Sequence, residues 1–218
     1  MANKRLFVVG LSLLIAAFAC SVGNITGGSN QSAGEGEIIF QDDFSDTSTG
    51  WEIGDYQGGS VGYGDGFYRV TSVEESGTMW GLAGRNFTDV DVTVDATQVS
   101  GPGNDNNGYG IGCRLQSNDD GYYLRISGDG YYSISKTVDG EFQYLVDWDT
   151  SGKINQGNAT NTIRIVCQGN TLTLYVNGSQ LATTTDSSYT AGDVTLTATT
   201  FESTPTEVHF DNLVVRQP

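Results

Sequence analysis

The chain has 218 residues, and its 26 acidic residues against 10 Lys and Arg give a formal net charge of −16 at pH 7. Such a surface repels phosphate backbones and acidic phospholipid headgroups, which proteins bind through clustered Lys and Arg. This charge balance excludes nucleic acid as a partner and leaves a covalent lipid as the membrane attachment to consider. The length of the chain suits one folded domain.

The first 20 residues have the pattern of a bacterial secretion signal. Lys4 and Arg5 precede an apolar stretch from Leu6 to Phe18, and small residues then lead to Cys20. The apolar stretch is shorter than the about 20 residues that a membrane-spanning helix needs. We therefore expect residues 1–19 to form a signal peptide and the mature protein to work outside the cytoplasm.

The end of this segment resembles the lipobox of bacterial lipoproteins. The resemblance implies that Cys20 carries lipid and anchors the protein in a membrane or at the cell surface. Ala17 and Phe18 depart from the motif, which has Leu and a small residue at these places. An ordinary secretory signal cut near the same point, giving a secreted protein, remains the alternative.

Residues 20–36 are predicted to be a flexible tether, because Gly, Ser, Asn and Gln dominate and almost nothing can be buried. The folded domain is then expected over residues 37–218. Loss of Lys4 and Arg5 with the signal leaves 8 basic and 26 acidic residues, a formal charge of −18.

From residue 37 onward the pattern is that of strands and tight turns. Apolar and polar residues alternate with a period of two in several runs, among them 89–95, 122–126, 171–176 and 194–198. Gly, Asn and Asp clusters separate the runs, as in hairpins. The pattern predicts an all-β fold of two antiparallel sheets packed as a β-sandwich.

Two cysteines lie within the predicted domain. Alternation places Cys113 on the apolar side of its strand with Ile111, and Cys167 on the apolar side of its strand with Ile165. Outside the cytoplasm, two inward-facing thiols favour a disulfide. Two separate buried thiols are the alternative.

Three segments resemble the concanavalin A-like lectin/glucanase superfamily. They are the hairpin at 162–178, which reads TIRIVCQGNTLTLYVNG, the opening DDFS at 42–45 with Trp51, and the closing FDNLVV at 210–215. The likeness covers roughly residues 38–217 and extends to laminin G-like and 3-keto-disaccharide hydrolase-like domains. It implies a jelly roll, but lectins, glycosidases and adhesion modules all share that fold, so it does not define an activity.

Catalytic carboxylates are weakly indicated. The glucanases of this superfamily carry a Glu-x-Asp-x-(x)-Glu pattern on one strand, and this chain has none. The nearest approximation is Asp89, Asp91 and Asp95, which share one strand face, with Asp91 and Asp95 as the weak catalytic candidates. A solvated face paired with Arg114 or Arg125 explains these carboxylates equally well, so an enzyme is uncertain and less favoured.

The metal ligands that this sequence offers are mainly oxygen atoms. One histidine, His209, and a paired set of cysteines leave too few ligands for zinc. Jelly rolls that bind carbohydrate often tie the first strand to the last with calcium, and the resemblance implies Asp42 or Asp43 together with Asp211 as its ligands. No other cofactor is expected.

A ligand-binding groove is predicted from strand parity. If Tyr122 faces the core, Tyr123 and Arg125 face outward, and the same rule places Arg114 outward. With Trp148 these residues would offer an aromatic and polar lining suited to a glycan or another extracellular ligand. The alternative is that the tyrosines fill the core and the arginines pair with acids.

Three functions remain at this stage. The preferred hypothesis is a surface-anchored, non-catalytic domain that binds carbohydrate. The first alternative is a glycoside hydrolase or lyase acting on sugar derivatives. The second is a structural or adhesive lipoprotein that meets protein partners through a sheet edge or apolar patch.

Overall fold

The computed structural model of the protein describes residues 36–218. The expected signal peptide, Cys20 and nearly all of the tether lie outside the described residues. Within the described range the chain forms fifteen strands and one short 3-10 helix, Thr47–Thr49. The strands are β1 (Ile38–Asp42), β2 (Gly54–Tyr56), β3 (Gly59–Tyr63), β4 (Tyr68–Ser72), β5 (Thr78–Leu82), β6 (Val90–Ser100), β7 (Asn107–Leu115), β8 (Tyr122–Ile126), β9 (Tyr131–Val138), β10 (Glu141–Thr150), β11 (Asn161–Gln168), β12 (Thr171–Val176), β13 (Ser179–Thr185), β14 (Asp193–Thr200) and β15 (Thr206–Arg216).

The strands form two antiparallel sheets. Within residues 36–218 the larger has nine strands, ordered β13-β12-β11-β6-β15-β4-β3-β2, with β1 also paired to β15. The smaller has six strands in the order β10-β9-β8-β7-β14-β5. Their inner faces enclose one apolar core. The predicted β-sandwich of the jelly-roll type is confirmed.

The alternating sequence determines which residues enter this core. On β6, Val90, Val92 and Val94 are buried, while Asp91 and Asp95 alternate with them on the other side. The same period buries the apolar residues of β7, β8 and β14. A shift of one residue in pairing would expose the whole apolar set of a strand, so the pattern also defines the register.

A disulfide joins the two sheets. Cys113 on β7 and Cys167 on β11 are bonded, with their Cα atoms 6.9 Å apart, and both residues are fully buried. The predicted pairing is confirmed. Closing a loop between cysteines 54 residues apart contributes about 2–4 kcal/mol to stability by the usual estimate.

In the part of the chain that the structure describes, we find no helix of the length and apolarity required to traverse a lipid bilayer.

Candidate functional site

The candidate site lies on the side of the six-stranded sheet that faces away from the core, called here the outer face. Strand register places its residues in rows across the sheet. One row, from β5 to β9, consists of Trp80, Thr197, Gly110, Arg125 and Ser133. The next, from β5 to β10, consists of Leu82, Thr195, Gly112, Tyr123, Ser135 and Tyr144. The middle of the outer face is therefore built from glycines and hydroxyl side chains, with aromatic residues at both edges.

Edge strand β10 supplies most of the aromatic side chains. Its pairing with β9 is irregular between Tyr144 and Val146 and again between Val146 and Asp149. The indole of Trp148 donates a hydrogen bond of 3.1 Å to the Tyr144 hydroxyl and packs edge-on against Phe201, with ring centroids 5.9 Å apart. These contacts hold the indole over the sheet.

Gly108 on β7 makes room for that indole. A Cβ at this position would come within 3.4 Å of the Trp148 ring and within 3.7 Å of Phe201. Because β7 lies three strands from β10 in the sheet, the ring reaches far across the outer face. A glycine here is thus part of the site, although it offers no functional group.

Arg125 lies beneath the aromatic side chains of β10 and is 1% exposed. Its guanidinium carbon is 4.4 Å from the centre of the Phe142 ring and 5.5 Å from that of Trp148. It donates hydrogen bonds to the Thr199 hydroxyl at 3.1 Å and to the Ser135 hydroxyl at 3.4 Å. Burial lowers the pKa of Arg125, although the neighbouring tyrosines Tyr144 and Tyr123 oppose this shift.

A cavity of about 480 Å³ opens beside Trp148. Three aromatic side chains and four polar residues line it: Tyr131, Trp148 and Phe201, with Asn106, Asn107, Ser127 and Asp129. Asn107 is fixed by donating to Gln98 at 2.6 Å and by accepting from the Gly128 backbone at 3.0 Å. The cavity thus combines apolar ring faces with carboxylate, amide and hydroxyl groups that are held in place.

At the opposite edge of the outer face, Asp119 lies beside Trp80. It is in the turn between β7 and β8, and its backbone oxygen accepts from the Tyr123 hydroxyl at 3.2 Å. Desolvation raises the pKa of the Asp119 carboxyl, a hydrogen bond with Trp80 lowers it, and the nearby Glu52 raises it further. The net direction is upward, although the residue as a whole is exposed.

The structure brings together three of the four residues predicted to line a ligand groove. Tyr123, Arg125 and Trp148 meet through Phe142, whose ring centre lies 5.3 Å from that of Tyr123. The predicted exposure is wrong for Tyr123 and Arg125, each 1% exposed. Both do face away from the core, but aromatic side chains from β10 pack over them.

Arg114 lies elsewhere and is likewise 1% exposed, so the predicted exposure is wrong here too. It has a left-handed backbone, with φ 57°, where the pairing of β7 with β14 shifts register. Its side chain pairs with Asp89 at 2.9 Å and donates to three backbone oxygens, those of Thr88, Gly169 and Tyr189. These contacts hold loops together at one end of the sandwich.

The weak catalytic candidates lie on the other sheet. Asp91 accepts two hydrogen bonds from Arg164, at 2.7 and 2.6 Å, and its side chain is 14% exposed. Asp95 accepts from the Thr162 hydroxyl at 2.6 Å and from Asn212 at 3.1 Å. Both carboxylates are thus part of cross-strand contacts of the nine-stranded sheet, but their partners are Arg164, Thr162 and Asn212 and not the predicted Arg114 or Arg125; Arg114 pairs with Asp89 instead.

His209 stacks on Phe67, with ring centres 3.7 Å apart, and its Nε2 is 2.7 Å from Glu207. The segment Gly58–Gly62 reads GGSVG and matches the Gly-x-Ser-x-Gly signature of nucleophilic serines. Its Ser60 lies within β3, paired to both β2 and β4, and not at the strand-to-helix turn that exposes such a serine.

The predicted calcium ligands are only partly brought together. A cavity of about 360 Å³ lies between the first and last strands and is lined by Gln41, Asp42, Asp43, Asp46, Thr49, Asn212, Leu213 and Val214. Asp42 accepts from the Phe44 backbone at 2.8 Å and from Thr49 at 2.5 Å. Asp211 instead lies opposite Asp95 in the β6–β15 register. Among residues 36–218 no group of three or more His, Cys, Asp or Glu is arranged to hold a metal ion.

Sequence reasoning missed several residues of the site. Phe142, Tyr144 and Phe201 carry no motif, and Asp119 lies in one of the Asn, Asp and Gly clusters that indicate hairpin turns. Asn107 and Asp129 likewise look like turn residues in the sequence. The one available signal was the density of aromatic residues in 142–148, which exceeds what a half-exposed edge strand needs.

Comparisons with known proteins agree with this architecture. A family model described as the 3-keto-alpha-glucoside-1,2-lyase-like domain matches residues 26–216. No curated protein matches the chain at a significant level.

Among solved structures, the carbohydrate binding module CBM66 from Bacillus subtilis superposes with a TM-score of 0.59 at 16% identity, covering 77% of this chain and 96% of that one. The Bacillus licheniformis beta-glucanase gives 0.61 at 16% identity, covering 85% of this chain and 99% of its own. A Bacillus subtilis protein of unknown function with a galectin-like fold gives 0.63 at 12% identity, covering 84% and 97%. At such identities the likeness shows the fold alone, a jelly roll of the kind found in both carbohydrate-binding modules and glycosidases. That fold and the disulfide indicate an extracytoplasmic protein.

Proposed function

The chain belongs to the family of 3-keto-alpha-glucoside-1,2-lyase-like domains, and from that premise we propose that it binds carbohydrate on the outer face without converting it. The observation that carries the proposal is the cavity walled by Tyr131, Trp148 and Phe201. Sugar rings present apolar C–H faces that pack against aromatic rings, and their hydroxyls need fixed polar partners. Both kinds of group line this cavity.

The size of the cavity also suits a saccharide. A volume of about 480 Å³ lies within the range of about 300–1,000 Å³ typical of small-molecule sites. The hydroxyl side chains in the middle of the outer face are buried, with Ser133, Thr195 and Thr197 each 0% exposed, so the cavity is the part of this face that is open to a ligand. The carbohydrate-binding module among the structural neighbours supports this assignment.

The test is a glycan and polysaccharide array probed with the purified protein, followed by calorimetry on the best ligand. Trp148→Ala should weaken binding about tenfold or more, because an aromatic contact in a binding site contributes on the order of 1.5 kcal/mol. Tyr56→Ala is the matched control, since it removes an exposed aromatic side chain from β2 of the other sheet. Equal affinity of the Trp148 variant and wild type would contradict the proposed site.

A lyase acting on a 3-keto-glucoside is the second candidate function. The family description names this reaction, and Asp119 is a carboxylate of raised pKa on the outer face beside Trp80. In such a reaction a base removes the C2 proton, which is acidic because C2 adjoins the C3 ketone. A double bond then forms between C1 and C2 as the bond from C1 to the leaving oxygen breaks, and the leaving oxygen takes a proton from water. A carboxylate of raised pKa is suited to accept the C2 proton.

Incubation with an aryl 3-keto-α-glucoside tests this second function. Release of the phenol by wild type, and its loss in Asp119→Asn with binding retained, would replace the binding function with catalysis. Binding without release would leave the non-catalytic proposal in place.

We extend the proposal to the organisation of the mature protein. Residues 1–19 are removed, Cys20 carries the lipid, and residues 20–36 hold the domain of residues 37–218 away from the membrane surface. The basis is the sequence pattern of the first 20 residues. Mass spectrometry of the N-terminal peptide decides it, since an unmodified Cys20 would mean a secreted protein without an anchor.

We also propose that calcium binds in the cavity between the first and last strands. Asp42, Asp43, Asp46 and Thr49 line it and offer oxygen atoms of the chemical type calcium prefers. The described residues hold no preformed cluster of three such side chains, so the proposal requires these side chains to close around the ion. Asp211 is replaced in this proposal by Asp46, because Asp46 lines the cavity.

A further inference from the structure

Three arginines of the sandwich bear on the chemistry of the ligand. Arg114 is 1% exposed and pairs with Asp89 at 2.9 Å. Arg164 pairs side-on with Asp91. Arg125 is also 1% exposed, yet no carboxylate of residues 36–218 lies within 4.0 Å of it. In a chain with 26 acidic residues, a buried arginine without an acid partner calls for an explanation.

The partners of Arg125 are neutral and do not satisfy all of its donors. Hydroxyl groups of Thr199 and Ser135 take one hydrogen bond each from the two terminal nitrogens, and the Tyr144 hydroxyl is a further neutral partner of this side chain. The Nε of Arg125 and the hydroxyl of the adjacent Ser133 are both buried without a hydrogen-bond partner. The rings of Phe142 and Trp148 offset part of the cost of burying the charge, but they accept no planar pair of hydrogen bonds.

The unsatisfied donors lie on one edge of the guanidinium. That edge consists of Nε and Nη2, and the bond from Nη2 to Ser135 is long, at 3.4 Å. Arg164 uses the same two nitrogens to hold Asp91, with Nε at 2.7 Å and Nη2 at 2.6 Å. A planar carboxylate matches this edge with two parallel hydrogen bonds.

We propose that the ligand is an acidic saccharide of the uronic-acid type, whose carboxylate pairs with the Nε and Nη2 edge of Arg125 while its ring packs on Trp148. This proposal rests on the proposed function and adds the chemical class of the sugar. The ligand carboxylate accepts two hydrogen bonds from Arg125, as Asp91 does from Arg164. The hydroxyl of Ser133 donates a third hydrogen bond to the ligand carboxylate.

Access to Arg125 requires aromatic side chains of β10 to move aside. Trp148 both lines the 480 Å³ cavity and lies over Arg125, so it separates the two. Strand β10 is paired on one side only, and its register shifts twice around Val146. An edge strand with such irregularities adapts at lower cost than a central one.

The negative charge of the protein predicts how the binding of a uronate depends on salt. A chain of net charge −16 repels an acidic polysaccharide at long range, and salt screens that repulsion. The buried pair at Arg125 is screened much less. Binding of a uronate should therefore hold or strengthen as salt rises, unlike attachment to a basic surface patch.

The experiment compares oligogalacturonate and oligomannuronate with their methyl esters by calorimetry on the purified protein. Esterification removes the carboxylate charge and keeps the ring and linkage. We expect wild type to bind one of the free acids about tenfold or more tightly than its ester. Arg125→Gln should bind the acid and the ester equally, whereas Arg69→Gln, which removes an exposed charge from β4 of the other sheet, should keep the preference.

The outcomes separate the two proposals. Binding of neutral glycans on the array, with no preference for acid over ester, overturns the acidic ligand and leaves carbohydrate binding intact. Absence of binding to every glycan overturns both. Circular dichroism shows whether Arg125→Gln folds. If it does not, the wild-type affinities for the free acid and for its methyl ester still test the acidic ligand, because that comparison needs no variant.

Discussion

At the scale of single residues, the site depends as much on a missing side chain as on those present. Gly108 is the point on β7 over which the Trp148 indole lies. Any larger residue there competes with the indole for the same space. Gly108, three strands away from β10, thus determines where Trp148 lies and with it the shape of the cavity.

Gly108→Leu should displace Trp148 and weaken glycan binding about tenfold or more, because its Cβ alone would stand 3.4 Å from the ring and 3.7 Å from Phe201, and the branched side chain extends beyond the Cβ. Calorimetry measures the loss. Gly152→Leu is the control, since a Cβ there meets nothing within 4 Å. Unchanged affinity of the Gly108 variant would show that the indole does not bind the ligand.

The buried arginines show where residue-level prediction fails. Alternation correctly predicted that Arg125 and Tyr123 face away from the core, because the period of a strand is a property of its own backbone. It could not predict that both are covered, since the covering rings come from β10 and depend on the curvature of the sheet. For Arg114 the local cause is different, because a left-handed residue in a bulge redirects the side chain.

At the scale of elements, a polar cluster ties the loop after β13 to the six-stranded sheet. Asp186 accepts hydrogen bonds from Tyr122 on β8 and Lys136 on β9, each at 2.7 Å. Lys136 also donates to Ser188 at 2.8 Å. Because β13 is an edge strand of the nine-stranded sheet, the cluster joins that edge to two interior strands of the six-stranded sheet, β8 and β9.

Asp186→Asn should lower the free energy of unfolding by about 1–3 kcal/mol, the usual contribution of hydrogen bonds to a charged group. Burial acts to raise the pKa of Asp186, but hydrogen bonds from Lys136, Ser188 and Tyr122 outweigh it and hold the pKa well below its usual range. The stabilisation is therefore complete above the unfolded pKa of about 4 and is lost as pH falls through the lower folded value.

Urea unfolding of wild type and Asp186→Asn over a series of pH values measures this. The difference between the two should stay constant from about pH 7 to about pH 4.5 and shrink below that range. Asp147→Asn, at an exposed position of β10, is the control and should track wild type. A difference that is absent at neutral pH would contradict the stabilising role of the cluster.

Element prediction succeeded where the signal is local. Runs such as 89–95 and 171–176 form strands with the expected core faces, and the hairpin at 162–178 forms as its resemblance implies. The order of strands within the sheets does not follow from such runs. It is defined by contacts between distant segments, such as β6 with β15, which no local pattern encodes.

At the scale of the whole molecule, the first and last strands close the sandwich. β1 pairs with β15 from Ile38 opposite Arg216 to Asp42 opposite Leu213. The proposed calcium cavity lies at this junction and includes Asp42 and Asn212. An ion bound only to the folded state there would stabilise the complete domain.

Calcium in excess should therefore raise the midpoint of thermal unfolding, and a chelator should reverse the rise. A ligand at about 100 times its dissociation constant adds about 2.7 kcal/mol. Differential scanning calorimetry gives the midpoint, with magnesium as the control cation, and Asp46→Asn should reduce the shift because it removes a lining carboxylate. An identical midpoint with calcium and with chelator would exclude a structural ion.

The covalent link between the sheets has a mechanical consequence. Any force applied through the residues that precede β1 enters the fold at the β1–β15 ladder, so these five residue positions carry the load first. Once this ladder ruptures, tension can extend only the chain before Cys113 and the chain after Cys167. The segment between them, closed by cysteines at a sequence separation of 54 and on the order of 180 Å long when extended, stays a closed loop. β8, β9 and β10, with the indole and the buried arginine, lie inside that loop, so these three strands of the binding face belong to the part of the molecule whose ends tension cannot draw apart while the disulfide is intact.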